Sequence, residues 1–254
     1  MQKYAICFLT IDIKKALFEF AETLIDSNYD VFICLDNNEI DTSIYNETKI
    51  TFVSINNEES KNNGFYGSVC YCLDRACSRD KALYYFAKIN KNMYDFIWFI
   101  EEDVFIPNKN TIKNIDLKYS NNNYDLLCEM NEIKESKNDN SIYWQHWYRL
   151  ENKIDFPWAH SMICAVRISN KLLNIISNFA CKNKFLLFDE TLFNTLALQN
   201  NLNIYNPIEL SNIVFSFSDI DTTNENNINT SYLYHPLKNL KQHEYLHEIF
   251  INNL

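Results

Sequence analysis

The chain carries two glycines, Gly64 and Gly67, in 254 residues. A Walker loop or a G-x-G-x-x-G dinucleotide fingerprint needs several, because only a residue without Cβ lets backbone N–H groups close around a phosphate. Both are excluded, and collagen-like, Gly-rich linker and propeller readings fall with them. Hydrophobic residues at 47%, 15% of the chain being aromatic, supply a sizeable core, so disorder is excluded as well. The length suits one large domain with an appended tail, and we expect a catalytic domain over 1–210 and a C-terminal extension over 211–254 packing on the same domain.

A net charge of −10 and a pI near 5.0 argue against nucleic acid held by phosphate contacts. A nucleotide substrate stays open, since a metal ion can supply positive charge locally. The eight cysteines (7, 34, 70, 72, 77, 128, 164 and 181) form no C-x-x-C pair, and several sit in apolar runs. Buried free thiols in a reducing, cytoplasmic setting are expected rather than a disulfide framework. The first apolar run is too short for a signal peptide, and nothing approaches the roughly 18–20 apolar residues of a membrane span.

The order of elements is that of an α/β fold. Tyr4–Leu9 reads as a strand, followed by a helix through Ala16, Leu17, Phe20, Leu24 and Ile25. Asp30–Leu35 and Ile50–Ile55 read as strands, and Asn56–Gly67 as a polar loop. A helix starting at Arg79 or Asp80 precedes Phe96–Ile100, the strongest strand signal. Further on come a weak helix over Lys109–Tyr119, a strand at Tyr124–Cys128 and a polar loop or flap at Asn131–Asn140. Met162–Ile168 reads as a strand, Lys171–Phe179 and Thr191–Gln199 as helices, and Ile204 and Ile213–Phe217 as short strands before a polar stretch, Asp219–Ser231. Continuous apolar strands interleaved with helices imply a mixed, mostly parallel sheet covered on both faces.

Phe96–Ile100 stops abruptly at Glu101-Glu102-Asp103. Ligands of open α/β sheets bind beyond the carboxyl ends of the strands, and clustered acids repel unless a cation or donors offset them. Alternation along the chain lets Glu101 and Asp103 face one way and Glu102 the other. Oxygen donors of this kind suit Mg²⁺ or Mn²⁺. An exposed acidic turn before Pro107 is the plain competing explanation.

In context the pattern resembles the GT-A class of nucleotide-sugar glycosyltransferases, in which a strand ends in an acidic D-x-D-type motif preceded by a helix. Here the corresponding segments are Ser78-Arg79-Asp80-Lys81-Ala82 and Tyr94 to Asp103, with Glu101 in place of the usual first aspartate. The resemblance implies a GT-A-like, Rossmann-like fold and sugar transfer to an acceptor hydroxyl, the acceptor being a carbohydrate or glycoconjugate. It implies nucleotide-sugar contacts at Thr10, Asp36, Arg79, Asp80 and Lys238, and a Mn²⁺ or Mg²⁺ site at Glu101, Asp103 and His235. It also places the acidic pair Asp189-Glu190 under the acceptor, where a carboxylate can deprotonate the attacking hydroxyl. Helix capping explains such a pair equally simply; Asp189 is the better cap and Glu190 the better base, and a base makes inversion the expected outcome.

Trp144, Trp147, Tyr148 and Trp158 form an aromatic-rich segment. Core packing is one reading; the other is a stacking platform for an acceptor sugar, assigned to Trp147 and Trp158. A binding module that kept the fold and lost turnover is the non-enzymatic alternative. His243-Glu244-Tyr245-Leu246-His247 matches the H-E-x-x-H zinc pattern, a remote metalloprotease alternative to chance placement on an amphipathic helix.

Overall fold

Strand β1 (Tyr4–Thr10) is buried at all seven positions, as a strand inside a sheet covered on both faces must be. In this computed structural model, which describes residues 2–45, 47–69, 75–220 and 228–252, β1 is followed by α1 (Lys15–Thr23), β2 (Tyr29–Leu35), β3 (Thr51–Val53), α2 (Asn57–Asn62) and α3 (Ser78–Tyr84). A π-helical turn, Tyr85–Ile89, extends α3. Then come β4 (Phe96–Glu101), α4 (Thr111–Tyr119), β5 (Leu126–Leu127), β6 (Glu132–Lys134), β7 (Trp158–His160), β8 (Ala165–Ser169), α5 (Asn170–Asn183) and α6 (Asp189–Gln199). The chain closes with β9 (Ile204–Tyr205), β10 (Asn212–Ile213), β11 (Tyr234–His235) and α7 (Leu240–Asn252).

Seven strands form one sheet in the order β3-β2-β1-β4-β8-β5-β9. β8 runs antiparallel to β4 and β5, and the other neighbours are parallel. The mixed, mostly parallel α/β sheet expected from the sequence is therefore present. Period-two alternation divides the core in two. Ala5, Cys7, Leu9 and Phe99 face α3, α5 and α6 through Leu83, Leu172 and Phe193. Tyr4, Ile6, Phe8 and Trp98 face α1 and α4 through Leu17, Phe20 and Ile112. Each of the Leu, Ile and Phe side chains among these contributes about 1.5–3 kcal/mol by leaving water. The order of strands reverses between β1 and β4, so the crevice past Thr10 and Glu101 is the place for a ligand.

The differences from the sequence reading are local. The polar stretch Asn56–Gly67 contains α2, because the Asn56 side chain accepts from the amides of Glu58 and Glu59 and thereby satisfies helix donors that periodicity cannot reveal. Gly64 follows that helix at φ +86°, where a Cβ would sit 2.1 Å from the Ala180 carbonyl oxygen. Gly67 also has φ +86°, so both glycines occupy left-handed backbone. The expected flap over 131–140 holds β6, which pairs with β7. The strand expected at Ile213–Phe217 stops at Ile213, and Phe215 and Phe217 are exposed. Of the stretch Asp219–Ser231, positions 221–227 lie outside the described residues, as do Cys70 and Cys72. The other six cysteines are free thiols, five of them buried. No helix among the described residues is long and apolar enough to cross a membrane.

Beyond Leu210 the chain packs on the same sheet. Ile213 and Leu233 join the α1/α4 side of the core, and α7 packs against α1. The H-E-x-x-H histidines serve this packing. His247 stacks on Phe20 with ring centroids 4.6 Å apart, and both His243 and His247 contact Phe105. Burial drives their pKa values down to about 4 and about 3, so both are neutral, while Glu244 is exposed. Neither belongs to a convergent group of metal-ligating side chains among the described residues.

One charged network crosses the α1/α4 side. Arg167 on β8 donates to Asp116 at 2.9 Å, each side chain being 1% exposed, and Trp98 and Tyr29 donate to the other carboxylate oxygen at 3.0 and 2.8 Å. Removing one member of such a pair leaves a buried, uncompensated charge. Arg167→Met is expected to cost about 3–5 kcal/mol in urea denaturation. A loss below about 1 kcal/mol would show that water or rearrangement satisfies Asp116.

Candidate active site

The crevice at the β1/β4 reversal encloses about 260 Å³ and is lined by Thr10, Asp36, Arg75, Arg79, Glu101, Glu102 and Asp103, among others. Each acid has distinct company. Glu102 is turned back onto the loop after β1, where it accepts from the Thr10 hydroxyl, from the Ile11 amide at 3.2 Å and from Lys14 Nζ at 2.8 Å. It is neutralised there. Glu101 faces the other way and takes Arg79 Nη2 at 2.5 Å. Asp103 meets His235 Nε2 at 3.4 Å.

His235 is brought in by its strand. β11 is tied to the segment after β4 by paired backbone hydrogen bonds between Phe105 and Tyr234 and by the Leu237 amide donating to the Asp103 carbonyl. His235 Nδ1 donates to the Val214 carbonyl at 2.7 Å, which fixes the ring and turns Nε2 toward the acids. A histidine so held by a backbone carbonyl is oriented as metal-ligating histidines are. Burial opposes the charged forms of both partners, but their mutual hydrogen bond and charge hold Asp103 below its ordinary pKa and His235 above its own.

Cys164 completes the cluster. It precedes β8, and the antiparallel register pairing Ile100 with Ala165 sets it opposite Glu101, whose amide donates to the Cys164 carbonyl at 2.8 Å. Ligand atoms of Glu101, Cys164 and His235 lie within 4.8 Å of one another. The sequence reading missed Cys164, because nothing in a sequence announces a cross-strand register. The donor set of two carboxylates, an oriented imidazole and a thiol fits a divalent cation.

The remaining expected nucleotide contacts divide into two groups. Asp36 ends β2 inside the crevice, accepting from the Ser78 amide at 3.0 Å and pairing with Arg75 at 2.9 Å. Asp80 is buried and gives both oxygens to backbone amides, Cys77 at 3.1 Å and Ser68 at 3.4 Å, so it shapes the start of α3 and does not line the crevice. Lys238 is exposed, with Nζ 3.3 Å from the Ser216 carbonyl.

Arg79 links this crevice to the start of α6. It is 2% exposed, pairs with Glu101, and places Nε 3.6 Å from Asp189 at the start of α6. Phe188 occupies the cap position of that helix and Asp189 its first turn, with Oδ1 accepting from the Glu190 amide at 2.9 Å. Asp189 therefore steadies the helix start and also anchors Arg79. Glu190 opens into a cavity of about 300 Å³ lined also by Glu129, Trp144, His160, Val214 and Phe215. Burial first, then the charge of Glu101, raises Glu190 to about 7; Asp189 also reaches about 7, through burial and neighbouring acids and against the pull of Arg79.

The tryptophans are redistributed. Trp147 and Trp158 pack with Leu150 and Phe156 and border a different cavity, of about 630 Å³, that does not include Glu190. The ring beside Glu190 is Trp144, stacked on His160 at 4.2 Å. Glu129 was also missed. It lies just past β5 at the carboxyl end of the strand, and burial followed by the charge of Glu132 raises it to about 7.

A raised carboxylate pKa has a stability consequence. Between about 4.5 and 7 the folded state keeps a proton on Glu190 that the unfolded state has released, so stability falls as pH rises through that window and is level above it. Glu190→Gln removes this loss. In chelator, the variant is expected to be about 1–3 kcal/mol more stable than wild type at pH 8 and nearly equal at pH 4.5. Urea denaturation at both values is the measurement, and a pH-independent difference would refute the elevated pKa.

No known protein family profile matches this chain, and no curated protein matches it. Solved structures do. Glucosyl-3-phosphoglycerate synthase from Mycobacterium tuberculosis, solved with Mn²⁺, UDP-glucose and phosphoglyceric acid, is 9% identical with a TM-score of 0.40, over 71% of this chain and 63% of that one. The match thus spans less than two thirds of the synthase. Mouse xyloside xylosyltransferase 1, in its apo form, is 9% identical with a TM-score of 0.42 over 82% of this chain and 85% of that one. CMP:2-keto-3-deoxy-manno-octonic acid synthetase complexed with CTP is 9% identical with a TM-score of 0.41, over 80% and 88%.

Proposed function

We propose that this chain is a GT-A-like, metal-dependent glycosyltransferase that moves a sugar from a nucleotide-sugar donor to the hydroxyl of a carbohydrate or glycoconjugate, with inversion. The observation that carries the reading is the nearness of two unlike crevices, one lined by Arg79 and the other by Glu190, which follows Arg79's partner Asp189 in the chain. One holds a carboxylate–imidazole cluster suited to a cation, and the other a carboxylate titrating at about 7.

Glu101, Asp103 and His235 would hold Mn²⁺ or Mg²⁺, which when bound offsets the charge that builds on the leaving nucleotide. Asp36 and Thr10, at the ends of β2 and β1, would border the nucleoside, and Lys238 would meet the diphosphate. Arg79 and Asp189 act as positioning residues, the first holding Glu101 in place and the second holding Arg79. Glu190 would take the proton of the attacking hydroxyl, and a base titrating near neutrality combines availability with driving force. Trp144 offers an apolar face to an acceptor sugar beside that base, and Trp147 and Trp158 would serve only an acceptor long enough to reach their separate cavity. Residues 1–210 would carry this catalytic domain and 211–254 would contribute His235 and Lys238 to it.

Two measurements test the reading. A nucleoside diphosphate at about 100 times its dissociation constant is expected to stabilise the protein by roughly 2.7 kcal/mol when Mn²⁺ or Mg²⁺ is present. In chelator, or with Asp103→Asn, the effect should vanish. Equal stabilisation in chelator would overturn the metal role.

With donor and acceptor, Glu190→Gln is expected to keep donor affinity and lose about 10²–10⁴-fold in turnover. Wild-type turnover should rise with pH to a plateau above about 7, since the base works only when deprotonated. Metal-dependent nucleotide binding without any transfer would identify a binding module instead.

A further inference from the structure

The cluster at the end of β4 contains a sulfur that a pure oxygen–nitrogen cation site does not need. We propose that Cys164 ligates the cation together with Glu101 and His235, making the site selective for thiophilic divalent ions such as Zn²⁺ or Co²⁺ relative to Mg²⁺ and Mn²⁺. This rests on the metal role given above and deepens it.

Three observations support the assignment. The Ile100–Ala165 register puts Cys164 directly opposite Glu101, and opposed residues on paired strands share a face. His235 is held by the Val214 carbonyl through Nδ1, leaving Nε2 for the cluster. Cys164 is 7% exposed and is not involved in a disulfide.

The ligand atoms lie within 4.8 Å of one another, whereas tetrahedral coordination at 2.0–2.3 Å requires about 3.6 Å between them. A contraction of about 1 Å closes the site, within reach of a side-chain rotation. On metal binding the Cys164 sulfur gives up its proton to solvent and donates a lone pair to the ion, with no change of oxidation state. Asp103, 3.4 Å from His235 Nε2, supplies a fourth donor or accepts from a bound water. Thiolate ligands favour zinc and cobalt over magnesium, while carboxylates and waters favour magnesium and manganese.

Almost any nitrogen–oxygen site ranks Zn²⁺ above Mn²⁺, so the ranking alone decides nothing; the change on removing sulfur does. Metal-stripped full-length protein is titrated by calorimetry with Zn²⁺ and with Mn²⁺, and by absorbance with Co²⁺. Wild type should show a near-ultraviolet thiolate-to-cobalt charge-transfer band that persists in a Cys70→Ser/Cys72→Ser background. Cys164→Ser should abolish the band and weaken Zn²⁺ by about 100-fold, with Mn²⁺ changed less than about 3-fold. His235→Asn, which keeps every cysteine, should also lose the band, and this second variant covers the case in which Cys164→Ser fails to fold.

A wild-type cobalt complex without the band, or an unchanged Zn²⁺/Mn²⁺ ratio in a folded Cys164→Ser protein, overturns the proposal. The two failures are distinguishable. A sulfur-ligated ion without metal-dependent nucleotide binding defeats the transferase reading alone, and metal-dependent nucleotide binding indifferent to Cys164 defeats the sulfur ligand alone.

Discussion

The buried guanidinium of Arg79 is the interaction on which the rest of the site depends. It is 2% exposed and touches Glu101 at the end of β4 and Asp189 at the start of α6, with the Phe193 ring 6.0 Å below it. Placing a cation out of water is unfavourable unless anions meet it, and burying the Asp189 carboxylate close to Glu101 is unfavourable without a cation between them. Each group makes the other tolerable. Because the three come from α3, β4 and α6, their pairing ties the start of α6 to the end of β4. Arg79 Nη1 has no hydrogen-bond partner, so even this arrangement leaves one donor unused in the free protein.

Around that pair the acids are sorted by what neutralises them. Glu102 has the Thr10 hydroxyl and Lys14, Asp36 has Arg75 and the Ser78 amide, and Asp80 has two backbone amides. Those carboxylates hold loops in place. Glu190 and Glu129 lack such partners and are pushed toward neutral pH by burial and by other acids. Electrostatic discomfort of this kind lowers stability and concentrates where chemistry is carried out. The apolar layers above and below the sheet supply the stability that offsets it.

The layered fold was legible because its signals are local and strong. Tyr4–Leu9 and Phe96–Ile100 are apolar throughout, a pattern suited to strands covered on both faces, and Glu101-Glu102-Asp103 marks the carboxyl end of one of them. Weaker elements were misread where the deciding contact is a side-chain cap or a distant partner. α2 depends on the Asn56 carboxamide, and β6 exists only because β7 lies beside it. The H-E-x-x-H spacing, which would also suit zinc, is used on α7 to press two neutral imidazoles against Phe20 and Phe105, in keeping with chance placement on an amphipathic helix.

By itself the sequence determined that glycine-based phosphate loops are impossible, that the sheet is covered on both faces, and that acids gather at the end of its best strand. Composition and short-range periodicity carry that information because the residues act on their immediate neighbours. Only the tertiary structure decided which acids remain available. Register set Cys164 opposite Glu101, β11 carried His235 across from Asp103, and α6 turned Glu190 into a cavity with Trp144 while Trp147 and Trp158 went elsewhere. Those placements follow from contacts between residues dozens of positions apart, and a carboxylate's charge state depends on all of them at once through burial and neighbouring charge.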